Sequence, residues 1–99
     1  MAEVRLNALA SYDLTEIDEH GALEFGPSVA EDYARGFRDA FDLLRRHPFA
    51  GAARPELGRG VRCIIHRKHR IFYIVELGLV QILRIFHHSR EVQSAQLKP

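Results

Sequence analysis

The stretch from Arg62 to His88 constrains the fold more than any other part of the chain. Three runs rich in Ile, Val, Phe and Tyr are divided by the charged pair Arg67-Lys68 and by Gly78, the pattern of successive antiparallel strands joined by tight turns. The middle run, Ile71 to Val75, is apolar on both faces. It predicts a strand with neighbours on either side and material packed above and below it. With turns at Arg67-Lys68 and Leu77-Gly78, direct pairing sets Ile64 opposite Ile71, Cys63 opposite Phe72 and Tyr73 opposite Ile82. One sheet face then carries Val61, Cys63, Ile65, Phe72, Ile74, Leu83 and Ile85, and is expected beneath helices. The other carries Arg62, Ile64, His66, His69, Ile71, Tyr73, Val75, Val80, Ile82, Arg84 and Phe86, a mixture of apolar groups and cations expected to face a partner. A one-residue slip at Gly78 would exchange the faces of the last strand.

The residues before Val61 predict what covers the sheet. Val4-Arg5-Leu6 alternates like a short edge strand, and Asn7 is a helix N-cap. Ala10, Leu14, Ile17 and Gly21 recur at one-face helical spacing, which leaves Asp13, Glu16, Asp18 and Glu19 as a solvated acidic surface. Phe25-Gly26-Pro27 breaks this helix. Ser28 and Glu31 have the spacing of a capping box for a second one, whose apolar face is Ala30, Tyr33, Ala34, Phe37, Phe41 and Leu44 and which Pro48 stops. Residues 47–60 form a Gly- and Pro-rich loop, and the polar segment after His88 is short enough to make one helical turn or to fray. The expected fold is α+β: an N-terminal strand and an antiparallel helical hairpin packed on a three- to four-stranded antiparallel sheet, in a single domain over residues 1–99.

Charge divides this plan in two. Met1 to Asp42 holds ten acids against three arginines, a net of −7, whereas Leu43 onward holds eleven basic residues against three acids, a net of +8. The sheet half therefore attracts an anionic partner, either nucleic acid or an acidic polypeptide, unless the halves neutralise each other within the fold. No apolar run approaches the ~20 residues of a membrane span. Met1-Ala2-Glu3-Val4-Arg5-Leu6 lacks the basic and apolar regions of a signal peptide, and the single cysteine, Cys63, forms no internal disulfide, so a cytoplasmic location is expected.

Candidate chemistry gathers near the strand ends. His66-x-x-His69 and His87-His88 invite a metal, but adjacent histidines on a strand point to opposite faces and no Cys or carboxylate completes a zinc spacing; no metal and no cofactor is expected. Arg70, Tyr73, Arg84, His87, His88, Arg90 and Glu91 are the residue types that RNA cleavage by 2′-hydroxyl attack requires: a general base, a general acid and cations for the developing charge. The simpler alternative is that the arginines hold an anion or an acidic partner.

Several segments in order resemble the ParE/RelE superfamily of bacterial type II toxins, and ParE in particular. Asp13-Leu14-x-x-Ile17, Phe25-Gly26 and Ala30-x-x-Tyr33 are similar to the ParE helical hairpin. His47-Pro48-x-x-Gly51-x-x-Arg54-Pro55-Glu56-Leu57-x-x-Gly60-x-Arg62 resembles its linker, the most specific piece. His69-x-Ile71-Phe72-Tyr73-x-Val75 and Ile82-Leu83-Arg84-Ile85-x-His87 resemble its last two strands. The tail departs, reading His87-His88-Ser89-Arg90-Glu91 where ParE commonly has His-Gln-Arg-Met-Asp. The resemblance implies a toxin that inhibits DNA gyrase, without a catalytic residue of its own, and that a ParD-like antitoxin neutralises. Arg62, Arg67, Lys68, Arg84, His87 and Arg90 are then expected to meet the target, and Arg62, Ile64, Tyr73, Ile82, Arg84 and Phe86 the antitoxin. His69-Arg70-Ile71-Phe72-Tyr73 also looks like a strand of the ribonuclease branch. That alternative is a ribosome-dependent mRNA endoribonuclease using Arg70, Tyr73, Arg84, His87 and His88. A third possibility is a non-toxic binding module of the same fold.

Overall fold

A computed structural model describes residues 1–99. The elements are β1 (Glu3–Leu6), α1 (Ala8–Phe25), α2 (Pro27–Arg46), β2 (Ala52–Ala53), β3 (Arg62–His66), β4 (His69–Glu76) and β5 (Leu79–His87), with short 3-10 turns at Pro55–Leu57 and Ser94–Leu97. The sheet has five strands in the order β1-β5-β4-β3-β2. It is mixed, since β1 runs parallel to β5 while the other pairs are antiparallel. β1 is the expected edge strand but runs parallel to β5, where an antiparallel sheet was expected, and the two-residue β2 is a further edge strand inside the segment expected to be loop.

Local chemistry explains the helix ends. The Asn7 side chain accepts from the Ala10 N–H at 2.9 Å, which supplies a partner to a donor that the helix start leaves free. Gly26, at φ +86°, ends α1 and directly precedes α2. The expected capping box is not formed: α2 already begins at Pro27, without a side-chain cap. The proline ring presets a helical φ and needs no donor at the first position, so Ser28 and Glu31 fall within the first turn. Arg45 and Arg46 occupy the last turn, where the helix dipole favours cations.

The strand register is the expected one through Ile64↔Ile71, Cys63↔Phe72 and Tyr73↔Ile82. Leu77 and Gly78 both have positive φ, as the tightest hairpin turn between twisted strands demands. The assignment of the faces is reversed. Ile71, Tyr73, Val80, Ile82 and Ile85 pack with Ala10, Phe37, Phe41 and Leu44 of the helices, while Cys63, Phe72, Ile74, Leu83 and Phe86 form a second cluster with Leu57, Val61 and Leu97 on the far side. Both faces are apolar, so alternation states which residues share a face but not which face the helices take. The far face is covered by the linker and by the C-terminal turn, whose Leu97 is 2% exposed. Ile65, expected beneath the helices, is instead 67% exposed.

The alternation also breaks within β5. Phe72 pairs with Arg84 and Tyr73 with Ile82, so Leu83 is an extra residue in the ladder. This bulge sets Ile85 on the helix side together with Ile82 and re-aims Arg84.

Candidate functional site

An open groove of about 920 Å³ lies between the helical hairpin and one end of the sheet. Its helix side carries Tyr12, Glu16, Ile17, Asp18, Glu24, Phe25 and Val29, and its sheet side Arg67, Lys68, His69, Arg84, His87 and Arg90. Phe25 and Val29 are exposed despite their apolar character. The groove therefore offers greasy contact beside an acidic wall and a cationic rim.

Two built contacts fix its shape. The first is the ion pair of Asp13 and Arg84: Nε and Nη2 of Arg84 each donate to a different carboxylate oxygen at 2.8 Å, and the Ile85 backbone N–H donates to Oδ2 at 3.0 Å. The two side chains are only 10% and 16% exposed, and hydrogen bonding to Asp13 pushes the Arg84 pKa up. Asp13 is therefore not part of a solvated acidic surface. It clamps α1 to the bulge of β5 and accounts for three buried donors. The sequence did contain a signal: Asp13 is three residues from Ala10 and four from Ile17, so it shares their inward stripe.

The second contact is a knot of rings around Tyr33 on α2. The Tyr33 hydroxyl is hydrogen-bonded to His69 Nδ1 at 2.8 Å, lies 3.3 Å from the His66 carbonyl oxygen, and accepts from the Lys68 N–H at 3.2 Å. His66 Nε2 donates to the Tyr33 carbonyl at 3.0 Å, and the Phe37 ring stands edge-on to both His66 and His69. Gly36 makes room for this packing, since a Cβ there would lie 2.0 Å from His66 Cε1. Burial, followed by repulsion from His87, His66 and His88, lowers the His69 pKa to about 4. His69 is thus neutral at physiological pH. Sequence reasoning placed Tyr33 in the core and gave it no part in holding the Arg67-Lys68 turn.

The expected site residues are partly assembled. Arg67, Lys68, His87 and Arg90 are exposed and line one rim. Arg84 is in the groove wall but committed to Asp13. Arg62 stands at the opposite end of β3, where Nη1 donates to the carbonyls of Phe49 and Gly51 at 3.2 and 2.8 Å. It ties down the linker and does not join the rim. The surface expected for the antitoxin is corrected: Tyr73 and Ile82 are fully buried under the helices, Phe86 is buried in the far cluster, and Ile64 packs against the helix-side core. The ribonuclease constellation is not brought together either. Tyr73 is inside, its hydroxyl accepting from the Gly51 N–H at 2.8 Å, while Arg70 lies over the Phe72 ring on the other face and donates to the Arg90 carbonyl. The His87 and His88 rings lie against each other at the strand end, 4.4 Å between centroids and tilted by 38°. No three metal-binding side chains converge there or elsewhere, and no helix is long and apolar enough to cross a membrane.

The model of a protein family described as the ParE toxin of the type II toxin-antitoxin system parDE matches residues 4–92, which includes both helices, the linker and the whole meander. The chain belongs to the ParE toxin family. Within that family it is 30% identical over 94 residues to toxin ParE1 of Caulobacter vibrioides, a match covering 95% of this chain and 97% of that one. Among solved structures this ParE-family fold is similar to a chain of the chromosomal ParDE toxin-antitoxin system of P. aeruginosa, with TM-score 0.75, 27% identity and coverage of 88% of this chain and 96% of that chain. It is also similar, at TM-score 0.62 and 27% identity over 87% of this chain and 96% of that chain, to a chain of the RelBE2 toxin-antitoxin complex of Mycobacterium tuberculosis.

Proposed function

We infer that this ParE-family chain is a cytoplasmic toxin, acting as a single domain, that inhibits DNA gyrase by binding and not by catalysis, and that a ParD-like antitoxin silences it. The observation that carries this reading is the open groove with its cationic rim, in a fold where Arg70 and Tyr73 lie on opposite sides of the sheet. An acidic, amphipathic helix fits such a groove: its apolar face meets Ile17, Phe25 and Val29, and its carboxylates meet Arg67, Lys68, His87 and Arg90. Target contact falls to the same exposed rim, so bound antitoxin covers what the target needs. Gyrase is the target that the ParE family implies.

The likeness to a RelBE2 chain keeps mRNA cleavage as the second reading. Brief induction in bacteria lacking the antitoxin separates the two. Gyrase inhibition produces a DNA-damage response with broken chromosomes, mRNA cleavage produces rapid loss of intact message, and unimpaired growth identifies a non-toxic binding module. Arg70→Ala is expected to arrest growth as the parent does, because its guanidinium stacks on Phe72 outside the groove. Loss of arrest in that variant, with fold and antitoxin binding preserved, supports the ribonuclease.

A further inference from the structure

We propose that the end of the sheet formed by the β3–β4 turn and the C-terminal end of β5 is a seat for the phosphate backbone of double-stranded DNA. The inference rests on the gyrase reading, since DNA is what that enzyme holds, and it names which part of the target assembly the rim touches. The structure juxtaposes two short segments here. His69 pairs with His87, and the His88 N–H donates to the Lys68 carbonyl at 2.7 Å, so the turn bearing Arg67 and Lys68 lies directly beside the segment bearing Arg90.

Charge makes this place unlike the rest of the surface. Elsewhere Arg5, Arg35, Arg38, Arg45 and Arg54 pair with nearby carboxylates, and Arg84 pairs with Asp13. Arg67, Lys68 and Arg90 have no carboxylate partner, although all three are exposed. Glu91 is the one acid in the two segments. Arg46, Arg59 and Lys98 are also exposed without a carboxylate partner but lie elsewhere in the chain, whereas at this tip three such cations share two adjoining segments, which directs an anionic partner there by local field and not by the overall charge of +1.

At the tip itself, outside the apolar groove that an antitoxin helix would occupy, the side chains favour phosphate over a protein surface, and a duplex over a single strand. Residues 66–70 and 87–91 expose no large apolar group, and Ile65 beside them stands alone, too little to anchor a protein interface. They also expose no Phe, Tyr or Trp on which unpaired bases would stack. Polar, cation-rich surfaces of this kind are typical where proteins meet duplex backbone. Arg90 is held for the task by its stack on Phe86, 4.3 Å from the ring centre. Glu16, Asp18 and Glu24 across the groove repel phosphates, so the duplex lies across the tip and does not enter the cleft. Antitoxin in the groove would cover the same rim.

Fluorescence anisotropy of the purified chain with a short labelled DNA duplex tests this without gyrase. Three phosphate contacts predict that log K falls against log salt with a slope of about −3. Arg67→Glu and Arg90→Glu are expected to weaken binding at least tenfold each, and Arg46→Glu, at the far end of α2, less than twofold. If one variant fails to fold, Lys68→Gln reads the same loss more gently. Equal losses at Arg46 and Arg67, a salt-independent affinity, tighter binding of single-stranded RNA, or tighter binding of polyglutamate would each overturn the seat. A supercoiling assay on the same preparations keeps the two readings apart. Gyrase inhibition without rim-dependent DNA binding overturns the seat alone, whereas rim-dependent DNA binding without gyrase inhibition overturns the gyrase reading and leaves the seat standing.

Discussion

Asp13 and His69 show how single residues hold the groove open. Replacing Asp13 with Ala would strand the Arg84 guanidinium and the Ile85 N–H in a site that is largely closed to water. Breaking one side of such a pair costs about 3 kcal/mol, and chemical denaturation of Asp13→Ala is expected to show a loss of that order with an unchanged denaturant slope. His69 gives a pH dependence whose sign follows from its environment. The folded chain lowers its pKa to about 4, whereas an unfolded histidine titrates near ~6.5. Between those values the unfolded chain binds more protons, so stability falls as pH drops from about 6.5 towards 4 and loses nothing further from this group below that. Thermal unfolding across that range is expected to show the decline, and His69→Gln to flatten it. Neither residue's role was legible from its type alone. Asp13 belongs to an apolar stripe but was set with its acidic neighbours, and the burial of His69 depends on a tyrosine 36 positions earlier in the chain.

At the level of elements, short-range chemistry was readable and long-range choice was not. Asn7 as a cap, the break at Gly26 and the two hairpin registers follow from local rules about caps, positive φ and alternation. The covering of the sheet does not, because Phe72 and Tyr73 are both bulky aromatics, fully buried on opposite faces. The bulge at Leu83 was invisible for the same reason, since one more aliphatic in an aliphatic strand leaves no mark in the sequence. The C-terminal turn is where the difference matters most, because it closes the far cluster with a single side chain. Leu97→Ala is expected to destabilise the fold by about 2–3 kcal/mol, read as a lower unfolding midpoint. A change well under 1 kcal/mol would mean that the tail does not cover this face in solution.

On the scale of the whole molecule, the division of charge seen along the chain survives folding. Arg84 with Asp13 is the only ion pair between a helix and the sheet; the one other pair across the charge boundary, Arg45 with Asp42, lies within the last turns of α2. Folding then brings three unpaired cations, Arg67, Lys68 and Arg90, to one sheet end beside a groove with an acidic far wall. The family was legible because the linker and strand motifs keep their order over residues 4–92. The binding surface was not, because it depends on which sheet face the helices occupy. The most direct measurement is supercoiling of relaxed plasmid by purified gyrase in the presence of the antitoxin-free chain. Dose-dependent inhibition, reversed by adding the antitoxin, is the predicted result. Undiminished supercoiling at a large excess of folded chain, alongside cleavage of ribosome-bound mRNA, would contradict it.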